Sequence, residues 1–217
     1  MDTAKQLSSS TSQTRPVVAV FDFDGTLTFK DSFLPFLEST HGRFYWLYLI
    51  PHTISIICYL LKTISNHKIK EILLPSFFKR CLQRKIELLS NDFAIKGIPK
   101  LLNPVAIEKL KWHQSQGHRI IIVSANLEIY LIPWAKIMGI DSVLATQLHF
   151  NNGIFTGIDG KCCYGQEKVR RLQELLGSLD DYCLHIYGDS RGDKEMLDIA
   201  DYPYYRIFNP GQSLFIK

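Results

Sequence analysis

The chain has 217 residues, 46% of them hydrophobic and 12% aromatic, with 25 Lys and Arg against 21 Asp and Glu for a formal net charge of +4. A chain of this length and composition buries a core unaided, which excludes disordered, collagen-like, coiled-coil and disulfide-stapled miniature classes. The charge excess is small and no nucleic-acid motif is present, so nucleic acid is not an expected partner, although an anionic ligand or surface is compatible.

Residues 1–15 are polar and rich in Ser and Thr, with no apolar core of the secretory kind, and are expected to form a disordered leader. Pro16–Asp22 (PVVAVFD) is a nearly continuous apolar run, the pattern of a strand buried on both faces, ending in a turn at Asp24-Gly25. Residues 32–97 show helical periodicity without a strand signal and are read as an inserted helical domain between two core segments, 16–31 and 98–217. Asn103-Pro104 opens a helix that Gly117 closes. Arg119–Val123 follows as a second buried strand, then a helix over Asn126–Met138 ended by Gly139, and a weak strand at Ser142–Ala145. Gln147–Gly157 alternates around Asn152-Gly153 and predicts a β-hairpin beside the sheet. A helix over Gln166–Leu176, a strand at Cys183–Tyr187 and a final strand within Tyr202–Phe208 complete the chain. Alternating strands and helices predict an α/β fold, a parallel sheet with flanking helices plus the inserted helical cap.

Five cysteines, Cys58, Cys81, Cys162, Cys163 and Cys183, form no C-x-x-C pair and are odd in number, which suits reduced thiols and a cytoplasmic setting. The seven histidines show no metal-ligand cluster, so zinc is not expected.

The chemistry gathers at strand ends. Asp22 and Asp24 are two apart on a strand, so both carboxylates leave its C-terminal end on one side, where open α/β sheets bind ligands. Such a pair repels itself unless a shared proton or a cation intervenes, and Mg²⁺ is the natural guest; capping of the turn is the other reading. After the second strand, Ser124-Ala125-Asn126 offers a hydroxyl and backbone N–H groups at a helix start, a phosphate cradle or an ordinary cap. Lys168 sits in the first turn of its helix, against the dipole, where a bound anion or plain solvation would accommodate it. After the fourth strand come Asp189 and Asp193, the first suited to metal ligation and the second to a metal-bound water or to Lys168. Three strand ends carrying acids and a hydroxyl in this order, with one lysine between the last two, point to a shared site.

In sequence and spacing, FDFDGTLT (Phe21–Thr28), VSAN (Val123–Asn126), Lys168 and GDSRGD (Gly188–Asp193) resemble the four motifs of the haloacid dehalogenase superfamily. The helical insertion, CYGQEKVRRL and the hairpin are similar to its phosphoserine-phosphatase-like branch. The resemblance spans the chain after Arg15 and implies a Rossmann-like core and a phosphoric monoester hydrolase. In that reading Asp22 is the nucleophile that becomes an aspartyl phosphate, and Asp24 is the general acid and then base. Mg²⁺ is held by Asp22, the Asp24 carbonyl and Asp189, with Asp193 beside them. Thr26, Ser124, Ala125, Asn126 and Lys168 surround the phosphoryl group. A phosphotransferase or mutase, or a catalytically silent binding protein of the same fold, are the alternatives.

Nine residues beyond Asp22, where the phosphoserine enzymes carry a Glu for the substrate ammonium, stands Asp31, shorter in reach and beside Lys30; capping of the next helix is its other reading. Phe44–Leu61 is 18 residues without a formal charge, followed over Lys62–Lys85 by seven Lys and Arg. This approaches the ~20 apolar residues of a membrane span but is interrupted by Pro51, His52, Thr53 and Ser55. It is read either as cap core or as a peripheral membrane contact. Type-C phosphatidylglycerophosphate phosphatases look similar in this apolar insertion and in a G-x-E-K-V segment. The expected substrate is therefore either a small phosphorylated metabolite or a phospholipid headgroup.

Overall fold

The computed structural model describes residues 15–61 and 63–208. The expected leader lies outside the described residues except for Arg15, whose guanidinium donates to Asp201 at 2.5 Å.

Six strands form one sheet in the order β4-β3-β2-β1-β5-β6: β1 Val17–Phe21, β2 Arg119–Leu127, β3 Ser142–Asn151, β4 Ile154–Asp159, β5 Cys183–Gly188 and β6 Tyr202–Tyr205. All neighbours are parallel except β3 and β4. β1 is central, and its alternating side chains feed two cores. Ala19 and Phe21 join Ile120, Ile122 and Tyr187 on one face, while Val18 and Val20 join Ile121, Val123, Leu184 and Ile186 on the other. The first face is covered by α6 (Pro104–Ser115) and α7 (Glu128–Ile137), the second by α8 (Gln166–Leu176) and α9 (Lys194–Leu197). The chain steps from β1 through β2 to β3 in one direction and from β5 to β6 in the other, so a crevice opens where β1 and β5 end.

Between β1 and α6 the described chain holds no strand. It carries α1 (Phe33–His41), α2 (Tyr45–Leu49), α3 (Thr53–Leu60), α4 (Asn66–Phe78) and α5 (Gln83–Lys96). The two ends of this insertion meet in a neck: Phe29 N–H donates to the Leu101 carbonyl at 2.9 Å and Asn103 N–H to the Leu27 carbonyl at 2.8 Å. Phe36 and Phe93 pack on Tyr130 of α7 at 4.8 and 5.3 Å between ring centroids, which joins the insertion to the core beneath it.

Two expectations are corrected. The helix predicted from Asn126 begins at Glu128, because the segment before it stays extended as the end of β2. The Ala125 carbonyl there accepts from Lys70, Thr146 and Cys162 side chains instead of from a helical N–H. The hairpin is not beside the sheet but is its edge: β3 runs on unbroken from Ser142 into the first arm. Asn152, with φ of 49°, and Gly153, with φ of 74°, make the turn, a conformation that Asn-Gly supplies at little cost. The final strand forms as expected, over Tyr202–Tyr205, and all five cysteines are free thiols.

Against β5 lies a group of three histidines, of which His113 is buried. His113 bonds Tyr187 Oη at 2.9 Å and His118 Nδ1 at 2.8 Å, and its ring lies 5.3 Å from that of His185. Burial first, then the charges that His185, Lys109 and His118 would carry, push His113 down to about 3 from 6.5. A histidine held neutral in the fold stabilises it fully above its unfolded pKa, and that stability is lost as pH falls from 6.5 toward 3. We expect roughly 3 to 5 kcal/mol to disappear across that window. Denaturant titrations at pH 7 and pH 4 on the wild type and His113→Phe check this, the variant showing the shallower pH dependence.

Candidate active site

β1 delivers Asp22 into the crevice, and its N–H donates to the Tyr187 carbonyl at 2.9 Å, tying the end of β1 to β5. The chain then turns sharply at Gly25, φ 80°. A Cβ there would stand 2.3 Å from Asp189 Oδ2, so only glycine lets the Asp189 carboxylate approach this turn.

Lys168 enters from the first turn of α8 and is completely enclosed. Its ammonium donates to Asp22 Oδ1 at 2.5 Å, Asp193 Oδ1 at 2.6 Å and the Val123 carbonyl at 2.9 Å. Burial opposes its charge, but Asp22 and Asp193 outweigh that and raise its pKa. The other Asp193 oxygen accepts from Ser190 N–H at 2.9 Å, Ser190 Oγ at 2.8 Å and Asp189 N–H at 3.2 Å. Burial works against the Asp193 charge, yet Lys168 and these donors hold its carboxyl below the ordinary range. Asp193 is thus the residue that fixes Lys168 and the Asp189 loop. Asp22 is pushed well above the usual carboxylate range by burial and by Asp193, with Lys168 pulling back.

Asp24 points elsewhere. Its Oδ1 accepts from Ser32 N–H at 2.7 Å, and its Oδ2 from the Asn126 amide. Ser32 Oγ in turn bonds Tyr130 Oη at 3.0 Å. Burial, then the charge of Asp31, raises Asp24 to about 7, against the pull of Ser32, Lys70 and Asn126. A carboxylic acid near 7 is poised to give and take a proton at neutral pH.

Ser124 is buried, and its Oγ accepts the Asn126 N–H at 3.0 Å. This local turn bulges β2 where its register with β3 shifts between Ser124 and Leu127. The cradle is therefore a bulged strand end, one turn short of the α7 start. Thr26 Oγ1 is buried without a partner, leaving it open to a ligand. Asp31 Oδ1 accepts the Phe33 N–H at 2.8 Å at the start of α1, the capping geometry, and its charge is felt by Asp24.

The structure adds Ser32, Tyr130 and Lys70 to the residues singled out above. Lys70, on α4, is enclosed; its ammonium reaches the Ala125 carbonyl at 2.5 Å and lies 5.5 Å from the centroid of the Phe33 ring. The signal for Lys70 is its place at positions 70, 73, 74 and 77, a lysine on the otherwise apolar face made by Leu73, Leu74 and Phe77.

Oxygen atoms of Asp22, Asp189 and Asp193 lie within 4.8 Å of one another. Asp189 Oδ1 is buried with no hydrogen-bond partner, and burial followed by Asp193 pushes its carboxyl up to about 6. Three acids thus converge beside the enclosed Lys168 ammonium, and an all-oxygen donor set with an orphaned carboxylate fits a hard divalent cation. Because Lys168 and the Ser190 loop occupy Asp193, Asp22 and Asp189 are the available carboxylates, and the Asp24 side chain is turned to Ser32 and Asn126.

A doubly wound α/β core with a helical insertion, and acids on two adjacent strand ends bridged by a lysine, define a Rossmann-like hydrolase class. The chain belongs to the haloacid dehalogenase-like hydrolase family, whose profile matches residues 19–198. It is 36% identical over 212 residues, 94% of this chain and 95% of the relative, to Protein CicA of Caulobacter vibrioides. A protein of unknown function from Bordetella pertussis Tohama I superposes with a TM-score of 0.74 at 22% identity, over 85% of this chain and 87% of that one. A phosphoserine phosphohydrolase-like protein from Francisella tularensis superposes with a TM-score of 0.62 at 21% identity, over 87% and 85%.

Proposed function

We propose that the protein is a Mg²⁺-dependent phosphatase that cleaves a phosphomonoester through an aspartyl-phosphate intermediate. The observation that carries the reading is the enclosed Lys168 joining Asp22 to Asp193, beside an Asp24 raised to about 7. Lys168 holds one oxygen of Asp22 and leaves the other to attack phosphorus. As the P–O ester bond breaks, Asp24 gives its proton to the leaving oxygen, releasing the alcohol and leaving phosphate on Asp22. The ionised Asp24 then takes a proton from water as that water attacks phosphorus, which frees inorganic phosphate and restores both carboxyl groups. Lys168 and Ser124 receive the developing charge on the phosphoryl oxygens, with the Thr26 hydroxyl near them. Asp22, Asp189 and the Asp24 carbonyl would hold the cation, which when bound would supply the positive charge that lets an anionic nucleophile meet an anionic phosphate. The substrate is either a small phosphorylated metabolite or the phosphate of a lipid headgroup.

The test is phosphate release from a panel of phosphoserine, sugar phosphates, nucleotides and phosphatidylglycerophosphate, with Mg²⁺ and with EDTA. Release from at least one ester that EDTA abolishes is expected. No release from any member, or release only when an acceptor alcohol is added, overturns hydrolysis as the reaction.

A further inference from the structure

The uncharged run Phe44–Leu61 folds into α2, a 3₁₀ turn over Ile50–His52, and α3, and no residue of these elements is buried. The cap-core reading of this run therefore holds only for its inner side, where Tyr45, Leu49, Ile56 and Tyr59 pack against the core. Its outer side is a second apolar stripe. Leu47, Ile50, Ile54, Ile57 and Leu61 follow one another at spacings of three and four, so they share a face, and all are exposed, Ile54 at 78% and Leu61 at 69%. Trp46, 49% exposed, stands beside them. An apolar stripe of this extent facing water is what a covered surface looks like when its cover is missing.

The surrounding charge selects the cover. From 39 to 70 the chain has no Asp or Glu but carries Arg43, Lys62, Lys68 and Lys70. Lys70 is spent inside, and Lys68 pairs with Glu71 at 3.2 Å. Arg43 lies 5.6 Å from the centroid of the Phe44 ring at the base of α2. Lys85 is close enough that, after burial, its charge holds the His41 imidazole below its ordinary range, and that ring packs on Tyr48 at 4.5 Å. Indole and phenol rings beside an aliphatic stripe, with Arg43 and Lys85 near them and no acid on the stripe's own segment, suit the boundary between acyl chains and anionic headgroups. No described helix is long and apolar enough to cross a membrane, so the stripe would lie on a bilayer and not through it.

We propose that the outer face of α2 and α3 docks the protein on an anionic lipid surface. The inner face of the same arm borders the candidate site: the Tyr59 phenol is raised by burial and then by the charges of Asp31 and Asp24. Docking would therefore set the opening of the crevice against the headgroup layer. The assignment does not rest on the phosphatase reading, and its test separates the two.

The full-length protein is sedimented with phosphatidylcholine vesicles, with and without about one-third phosphatidylglycerol. Binding to the anionic vesicles is expected, falling at about 0.5 M salt as screening shortens the reach of the charges. Ile54→Glu with Ile57→Glu, both on the exposed outer face and neither among the site residues, should cut that binding about tenfold or more while Mg²⁺-dependent phosphate release from a soluble ester stays unchanged. No binding of the wild type, or equal binding of the double variant, overturns the proposal. So does a wild-type dimer that the double variant splits without any vesicle binding, which would make a second copy the cover.

Discussion

Asp22→Asn is expected to lower phosphate release by at least about 10⁴-fold with the fold intact, because an amide oxygen cannot serve as the nucleophile and the remaining groups act only through it. The stability argument is independent. Asp22 is enclosed, held by Lys168 at 2.5 Å, and pushed well above the ordinary carboxylate range by burial and Asp193. A neutral isostere relieves that crowding, and Asn Oδ1 still accepts from Lys168. The melting temperature should therefore stay level or rise by about 2–4 °C, the shift that 1 kcal/mol gives in a chain of this size. Activity within tenfold of wild type in the purified, folded variant would remove Asp22 from the nucleophile's place.

Lys168→Met should damage fold and reaction together. Lys168 is the only described cation in contact with the enclosed Asp22 and Asp193, and removing one partner of a buried charge group costs about 3–5 kcal/mol. Turnover should fall by about 10³-fold, since a donor to the phosphoryl oxygens goes with it. The pH dependence identifies the cause. Without the ammonium, Asp22 and Asp193 have folded pKa values raised above their unfolded ones, so their penalty is greatest at high pH and shrinks as pH falls and they protonate. The variant's deficit in denaturant stability should thus be largest near pH 8 and smaller near pH 5. A constant deficit would mean lost packing around the aliphatic stem and not stranded charge.

The parts of the site legible from residue order are those at the ends of apolar runs. A strand buried on both faces has no polar positions of its own, so Asp22, Ser124 and Asp189 stand out where such runs stop, and Gly25 marks the turn between them. Lys168 is legible as a cation at the wrong end of a helix, and the enclosure found for it explains that placement: two carboxylates outweigh the dipole. The start of α7 at Glu128, two residues beyond the expected Asn126, is not legible locally. Ser and Asn are ordinary caps, but Ser124 Oγ accepts the Asn126 N–H within an extended bulge, and side chains from α4, β3 and the loop before α8 claim the Ala125 carbonyl.

The amino-acid order alone determined the α/β alternation, the helical insertion and the set of acids at the strand ends, because buried strands and amphipathic helices write their period into local sequence. Tertiary structure alone decided that Asp24 turns toward Ser32 and Asn126, that Lys70 reaches from the insertion into the crevice, and that His113 and His118 meet His185 of β5. It also decided which side of Phe44–Leu61 faces out. Both sides of that run are apolar, so its period carries no direction; the direction comes from α1 and α4, which accept one stripe and leave the other without a partner.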